Sequence, residues 1–80
     1  MSEMMINQRH NELLMGRVAK KLKELRIGRD LTQAEVYRQT KIHIGRIEAG
    51  NANITVSSLS ELCKFYGVSF GDFFEGIGTK

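Results

Sequence analysis

Residues 31–50, LTQAEVYRQTKIHIGRIEAG, decide the fold that the sequence predicts. Thr32 is a suitable N-cap because its hydroxyl can accept a hydrogen bond from a free amide of the first helical turn. Glu35 follows three residues later and can accept a hydrogen bond from the Thr32 amide, which would complete a capping box. We therefore predict a helix that begins at Gln33.

The second part of this stretch predicts another short helix, which begins near Thr40 or Lys41 and ends at Gly50. Glycine favours that end because it adopts the left-handed closing conformation at little cost. Ile44 and Ile47 are one helical turn apart and are expected to face the core. Two short, closely joined helices that carry several polar side chains indicate a helix-turn-helix that binds DNA.

Several polar residues of this unit are candidates for DNA contact. Gln33 lies at a helix N-terminus, where free amides and the helix dipole favour a phosphate, or it is an ordinary polar first residue. Lys41 could donate to guanine acceptors, and Thr40 could be a helix cap or a phosphate ligand. His43 could contact a base or a phosphate, or pack beside Ile42.

Three further residues belong to the same region. Arg38 and Gln39 end the first of the two helices and would lie beside the DNA groove, or on a solvated helical face. Arg46 lies further along the second helix and is long enough to reach a phosphate or a guanine. Gly45 would let the backbone approach DNA or the preceding helix closely, or would avoid a clash with Tyr37.

Helical spacing of apolar residues predicts a long helix before this unit. Its possible N-caps are Asn7 and Asn11, and Gly28 marks its end. Its core-facing stripe is predicted to contain Leu14, Val18, Leu22 and Leu25.

Two more helices are predicted after residue 50. Thr55 caps the first and Gly67 closes it, and Ser69 caps the second. The buried stripe of the first is predicted to contain Val56, Leu59, Leu62, Cys63 and Tyr66. The second carries three aromatic rings, of which one or two would close the core, and a ring left exposed would form a dimer contact. The dimer candidates are Phe70, Phe73 and Phe74.

Length and composition predict one all-α domain over residues 1–80, with a core at about 11–75 and flexible ends at 1–8 and 76–80. A lone Cys63 cannot form an internal disulfide, and no Cys/His cluster has zinc spacing, so neither a metal site nor a cofactor is predicted. No segment resembles a secretory signal or a membrane span, which favours a cytoplasmic protein without membrane partners.

The net charge of +3 is unevenly distributed along the chain. Residues 9–46 contain ten Lys or Arg against four Asp or Glu, a net charge of +6. Residues 47–80 contain two against four, a net charge of −2. The basic part fits either a surface that binds a polyanion or a solvated basic helix.

Five short motifs follow one another in nearly fixed register: Lys23-Glu24-Leu25-Arg26, Leu31-Thr32-Gln33, Arg46-Ile47-Glu48-Ala49-Gly50, Leu59 to Tyr66, and Gly67-Val68-Ser69 with the subsequent Asp72-Phe73-Phe74. In this order they resemble the lambda-repressor/Cro-type helix-turn-helix (XRE) family. The resemblance covers roughly residues 17–74. No single motif is specific, whereas their order and register together are.

The resemblance implies a compact five-helix lambda-repressor-like fold whose second and third helices form the helix-turn-helix. It implies sequence-selective binding to double-stranded DNA in the major groove, usually as a dimer on a two-fold site. In that family the glutamine matching Gln33 binds a phosphate and supports the recognition helix, and residues matching Arg26 and Glu48 commonly form a buried ion pair. The loop after the recognition helix contacts phosphates, which adds Asn51 to the candidates.

One segment departs from the family pattern. Family members usually carry about three more residues between the second helix and the Arg-Ile-Glu motif, a little under one helical turn. The shortening is expected to remove the turn and the first turn of the recognition helix, the end that normally meets the bases, while Ile44 and Ile47 stay on the core face. Tyr37 also stands where the family mostly has a small residue.

We predict a sequence-specific DNA-binding transcriptional regulator, a repressor that acts as a homodimer on a two-fold operator. The alternative is a protein-interaction module or antitoxin-like partner that keeps the fold but reads DNA weakly. Catalysis and a small-molecule substrate are not predicted, because His10 and His43 have no matching nucleophile or carboxylate and Cys63 lies at a core position.

Overall fold

Five helices follow one another along the chain in the computed structural model, which describes residues 2–50 and 52–77, with side chains from residue 12 onward. They are α1 (Ser2–Gly28), α2 (Gln33–Thr40), α3 (Ile44–Glu48), α4 (Val56–Tyr66) and α5 (Phe70–Ile77). No strand occurs in these residues, so the predicted all-α class is confirmed. None of the described helices is long and apolar enough to cross a membrane.

Side-chain caps begin α2, α4 and α5 where the sequence predicted them. The Thr32 hydroxyl accepts from the Glu35 amide at 3.0 Å, and the Thr32 amide donates to Glu35 Oε1 at 2.8 Å, which completes the capping box. These hydrogen bonds lower the pKa of the Glu35 carboxyl. Thr55 accepts from the Ser58 amide at 3.0 Å, and Ser69 caps α5 with the same geometry.

The first helix is longer than predicted. It begins at Ser2, before both Asn7 and Asn11, so neither asparagine is its N-cap. It ends at Gly28 as predicted and contains 27 residues, which corresponds to a length of about 40 Å. The helix therefore accounts for the longest dimension of the molecule, 42 Å against 23 and 20 Å in the other directions.

Side chains from all five helices meet in a single core. Its buried members are Val18, Leu22, Val36, Ile44, Ile47, Leu59, Leu62, Cys63, Tyr66 and Phe73. The predicted core role of Ile44 and Ile47 is confirmed. Two predicted core residues lie outside it: Val56 is 73% exposed because it is the first residue of α4, and Leu14 is 40% exposed on the part of α1 that precedes the core.

Phe73 was expected as a possible dimer contact, and this expectation is wrong. The ring is completely buried in the core, so it is not available to another folded copy. The Phe74 ring contacts the Phe73 ring edge to face, but Phe70 and Phe74 both remain more than a third exposed. Their rings contact each other edge to face with centroids 5.1 Å apart.

Tyr66 is buried without a hydrogen-bond partner for its hydroxyl among the described residues. Burial disfavours the charged phenolate and raises the pKa of Tyr66 to about 12. The Arg29 guanidinium lies 5.8 Å from the centroid of the ring. The Tyr66 hydroxyl is therefore removed from water without a compensating hydrogen bond, which lowers the stability of the folded state.

We expect Tyr66→Phe to remove a loss of stability at alkaline pH. The native tyrosine holds its proton up to about pH 12, whereas the unfolded chain releases it near 10, so the free energy of unfolding falls as pH rises through this range. Urea unfolding at pH 7 and pH 11 measures the difference. The exposed Tyr37→Phe is the control, and an equal alkaline loss in both variants would contradict the expectation.

Candidate nucleic-acid interface

The turn between α2 and α3 begins at Lys41, directly after Thr40, the last residue of α2. The Thr40 hydroxyl donates to the Val36 carbonyl at 2.7 Å and accepts from the Ile42 amide at 3.1 Å. Thr40 therefore belongs to the end of α2, and its hydroxyl is occupied as a cap rather than free for a phosphate. The prediction that the second helix of the unit begins near Thr40 or Lys41 is wrong, because α3 begins at Ile44.

Lys41 closes α2 in the left-handed conformation, with φ 63° and ψ 17°. Its amide donates to the Tyr37 carbonyl at 2.7 Å. A side chain at Cβ makes this conformation unfavourable by about 1–2 kcal/mol, which is why glycine is common at such positions. Residues 41–43 thus form the turn between the two helices, although the shortening was expected to remove it, and the recognition helix α3 has five residues.

A carboxylate of α3 is paired with a guanidinium of α1. Arg26 Nε donates to Glu48 Oε2 at 2.7 Å and Nη2 donates to Oε1 at 3.0 Å, and the two side chains are only 12% and 3% exposed. The third nitrogen, Nη1, donates to the Leu31 carbonyl at 2.8 Å. The hydrogen bond to Glu48 raises the pKa of Arg26. The ion pair that the resemblance implied is therefore present, and it also holds the loop before α2.

Gln33 extends from the start of α2 across α3. Its Nε2 donates to Glu48 Oε1 at 3.0 Å. A Cβ built on Gly45 would lie 3.0 Å from Gln33 Oε1, closer than an ordinary contact. Gly45 therefore makes room for Gln33, not for Tyr37, and Gln33 supports the recognition helix as the resemblance implied.

His43 occupies the N-cap position of α3 without making a side-chain cap. Its ring stacks on the Tyr37 ring, with centroids 4.7 Å apart and planes inclined by 31°. Lys41 Nζ lies 6.0 Å from the centroid of the same tyrosine ring. Packing of His43 beside Ile42 was the alternative at the sequence level, but the observed stacking partner is a residue of α2.

The structure brings part of the predicted set together. We call the group formed by Gln33, Tyr37, Lys41, His43 and Arg46 the α2–α3 surface; all five are exposed. Arg38 and Gln39 lie on other faces of α2, because neighbours in a helix do not share a face with Tyr37. Asn51 lies outside the described residues.

Tyr37 is the member that sequence reasoning did not count among the DNA-contacting residues. Two features of the sequence could have pointed to it. Tyr37 is a large residue where the resembled family mostly has a small one, and the recognition helix beside it is short. The sequence gives no reason to connect the large side chain of Tyr37 with the short recognition helix. The structure connects them, because the Tyr37 ring stacks on His43 at the N-cap of that helix.

The α2–α3 surface is positively charged. Residues 33–46 contain three basic side chains and one acidic side chain, Glu35, whose carboxylate accepts the Thr32 amide. Glu48 is next to this surface, but its charge is balanced by Arg26. The exposed cations Lys41 and Arg46 therefore dominate the local field of this surface, and Arg38 adds a positive charge on a neighbouring face of α2, as expected of a site for a polyanion.

A family model described as helix-turn-helix matches residues 22–73 of the chain. The match contains α2 and α3 completely and begins within α1. No curated protein and no solved structure matches the chain significantly.

We expect Glu48→Ala to lower the free energy of unfolding by about 3–5 kcal/mol, because it leaves the Arg26 guanidinium buried without its counter-charge. Urea denaturation measures the change. The matched control is Glu61→Ala on the exposed face of α4, which is expected to change stability by less than about 0.5 kcal/mol. Similar values for the two variants would show that the ion pair does not hold the helices together.

We expect Lys41→Gly to raise the free energy of unfolding by about 1 kcal/mol, because glycine adopts the left-handed conformation without strain. Asp30→Gly is the control, since Asp30 has φ 56° in the turn after α1. Aspartate tolerates this conformation better than lysine, so its gain should be smaller. Thermal unfolding compares the variants, and a less stable Lys41→Gly protein would contradict the strain.

Proposed function

We propose that this chain, which belongs to the lambda-repressor-type helix-turn-helix family, represses transcription by binding a two-fold operator as a homodimer. The family is one of DNA-binding transcription regulators. The observation that carries the proposal is the α2–α3 surface, where exposed cations surround a helix-turn-helix that Glu48 fixes to α1. Repression follows from occupancy of the operator, so no cofactor or catalytic step is required. The cytoplasm is the proposed location.

Each residue has a proposed role in this complex. Gln33 donates one amide hydrogen to Glu48, and the second is proposed to donate to a phosphate. Lys41, His43 and Arg46 are proposed to reach base edges or phosphates from the N-terminus and exposed side of α3. Phosphates flanking the groove are proposed partners of Arg38, Gln39 and Asn51.

The homodimer is proposed to form through α5. Phe70 and Phe74 present a pair of touching rings that are 39% and 38% exposed. Aromatic rings are common anchors of protein interfaces because they bury a large area with few rotatable bonds. Two copies related by a two-fold axis would place two α3 helices on one operator.

A second function is favoured by the length of α3. A recognition helix of five residues offers few side chains to bases, while the Phe70–Phe74 pair offers an apolar contact. A protein-interaction module or antitoxin-like partner would use this pair. For such a module, alanine at Lys41, His43 and Arg46 would leave partner binding unchanged.

Selection of bound fragments from random duplex DNA, followed by a salt series on the enriched duplex, tests the proposal. We expect a two-fold sequence and affinity that falls steeply with salt, because bound cations release counterions from phosphates. Arg46→Ala should reduce the slope of log K against log salt by about one if it contacts a phosphate.

The matched control is Lys64→Ala, which removes an exposed cation from α4 and should leave the slope unchanged. Failure of the parent protein to enrich any duplex above background would reject the regulator and favour the interaction module. Enrichment of a sequence without two-fold symmetry would reject the homodimer alone.

A further inference from the structure

An exposed aromatic ring of α2 lies at the N-terminus of the recognition helix. Tyr37 is 42% exposed although it stacks on His43, whose backbone caps α3. The two rings form one continuous aromatic surface that comes from two helices. We call it the Tyr37–His43 pair.

The Tyr37–His43 pair lies at the N-terminal end of the recognition helix. In a helix-turn-helix the N-terminal residues of the recognition helix meet the base edges. A helix of five residues is only about 7.5 Å long, so α3 has little further length along which to present side chains. Tyr37 lies against His43, the residue that precedes the first turn of α3, and so adds a side chain from α2 to this end of the recognition helix.

The pair is held in place before DNA binds. The side chain of Gln33, one turn before Tyr37 on α2, lies against Gly45 and donates to Glu48. These contacts fix α2 relative to α3 and thus fix the two rings relative to each other. A preorganised contact surface loses less conformational freedom on binding.

The chemistry of the ring restricts what it can face in the major groove. Base edges there are hydrogen-bond donors and acceptors, with one apolar exception, the C5-methyl group of thymine. A ring pressed against a donor or acceptor would leave that group without a partner, which is unfavourable. A ring against a methyl group buries apolar area on both sides.

We infer that Tyr37 is a specificity-determining residue and that the Tyr37–His43 pair contacts a thymine methyl group in each half-site of duplex DNA. The inference rests on the proposed DNA binding. Lys41 Nζ, 6.0 Å from the tyrosine centroid, is placed to hold the neighbouring phosphate and keep the ring in the groove. Specificity at that base pair then comes from α2 as well as from α3.

A double-mutant cycle between protein and DNA tests the inference. The probe is the duplex enriched by the parent protein, with each thymine of one half-site replaced in turn by uracil, which lacks only the methyl group. At one position the replacement should weaken binding by the parent about fourfold, which is the value of burying one methyl-sized group. The same replacement should have no effect on Tyr37→Ala, and Tyr37→Phe should behave like the parent because it keeps the ring.

Low salt keeps the weaker variants bound, so that every corner of the cycle is measured. Val56→Ala removes another exposed apolar side chain and should keep the parent's response to uracil; thermal unfolding checks that each variant is folded. An unchanged response in Tyr37→Ala, or a lost response in Tyr37→Phe, overturns the inference while the proposed function stands. Enrichment of no duplex by the parent overturns both.

Discussion

The carboxylate of Glu48 is the constraint on which the rest of the structure depends. It accepts hydrogen bonds from Arg26 of α1 and Gln33 of α2 while it belongs to α3, so one side chain joins three helices. A five-residue helix is far too short to be stable alone in water. The helical form of α3 therefore comes from this carboxylate and from the burial of Ile44 and Ile47.

This dependence explains how the unit tolerates a short recognition helix. The contacts that hold α3 are made by Ile44, Gly45, Ile47 and Glu48, within its five residues. Residues lost from the beginning of the helix would not carry any of these contacts. The fold of the domain therefore does not depend on the length of the recognition helix, and Ile44 and Ile47 remain in the core as expected.

Much of the fold could be predicted from sequence, since it depends on local signals. The capping box at Thr32, the caps at Thr55 and Ser69 and the helical spacing of core residues act within a few residues of each other. The start of α3 could not be predicted in this way, because the left-handed turn is formed by a lysine, which carries no such signal. Stacking of Tyr37 on His43 is a tertiary contact between helices, and spacing within one helix does not reveal it.

The stacking of Tyr37 on His43 also determines how this surface can change. Where a recognition helix contacts the bases without side chains from a second helix, one substitution can alter one contact and leave the others intact. Here the two rings contact each other, so a replacement that removes either ring also changes the surroundings of its partner. Substitutions at the two positions are expected to be strongly epistatic, and a change of target preference would proceed through paired replacements in two helices.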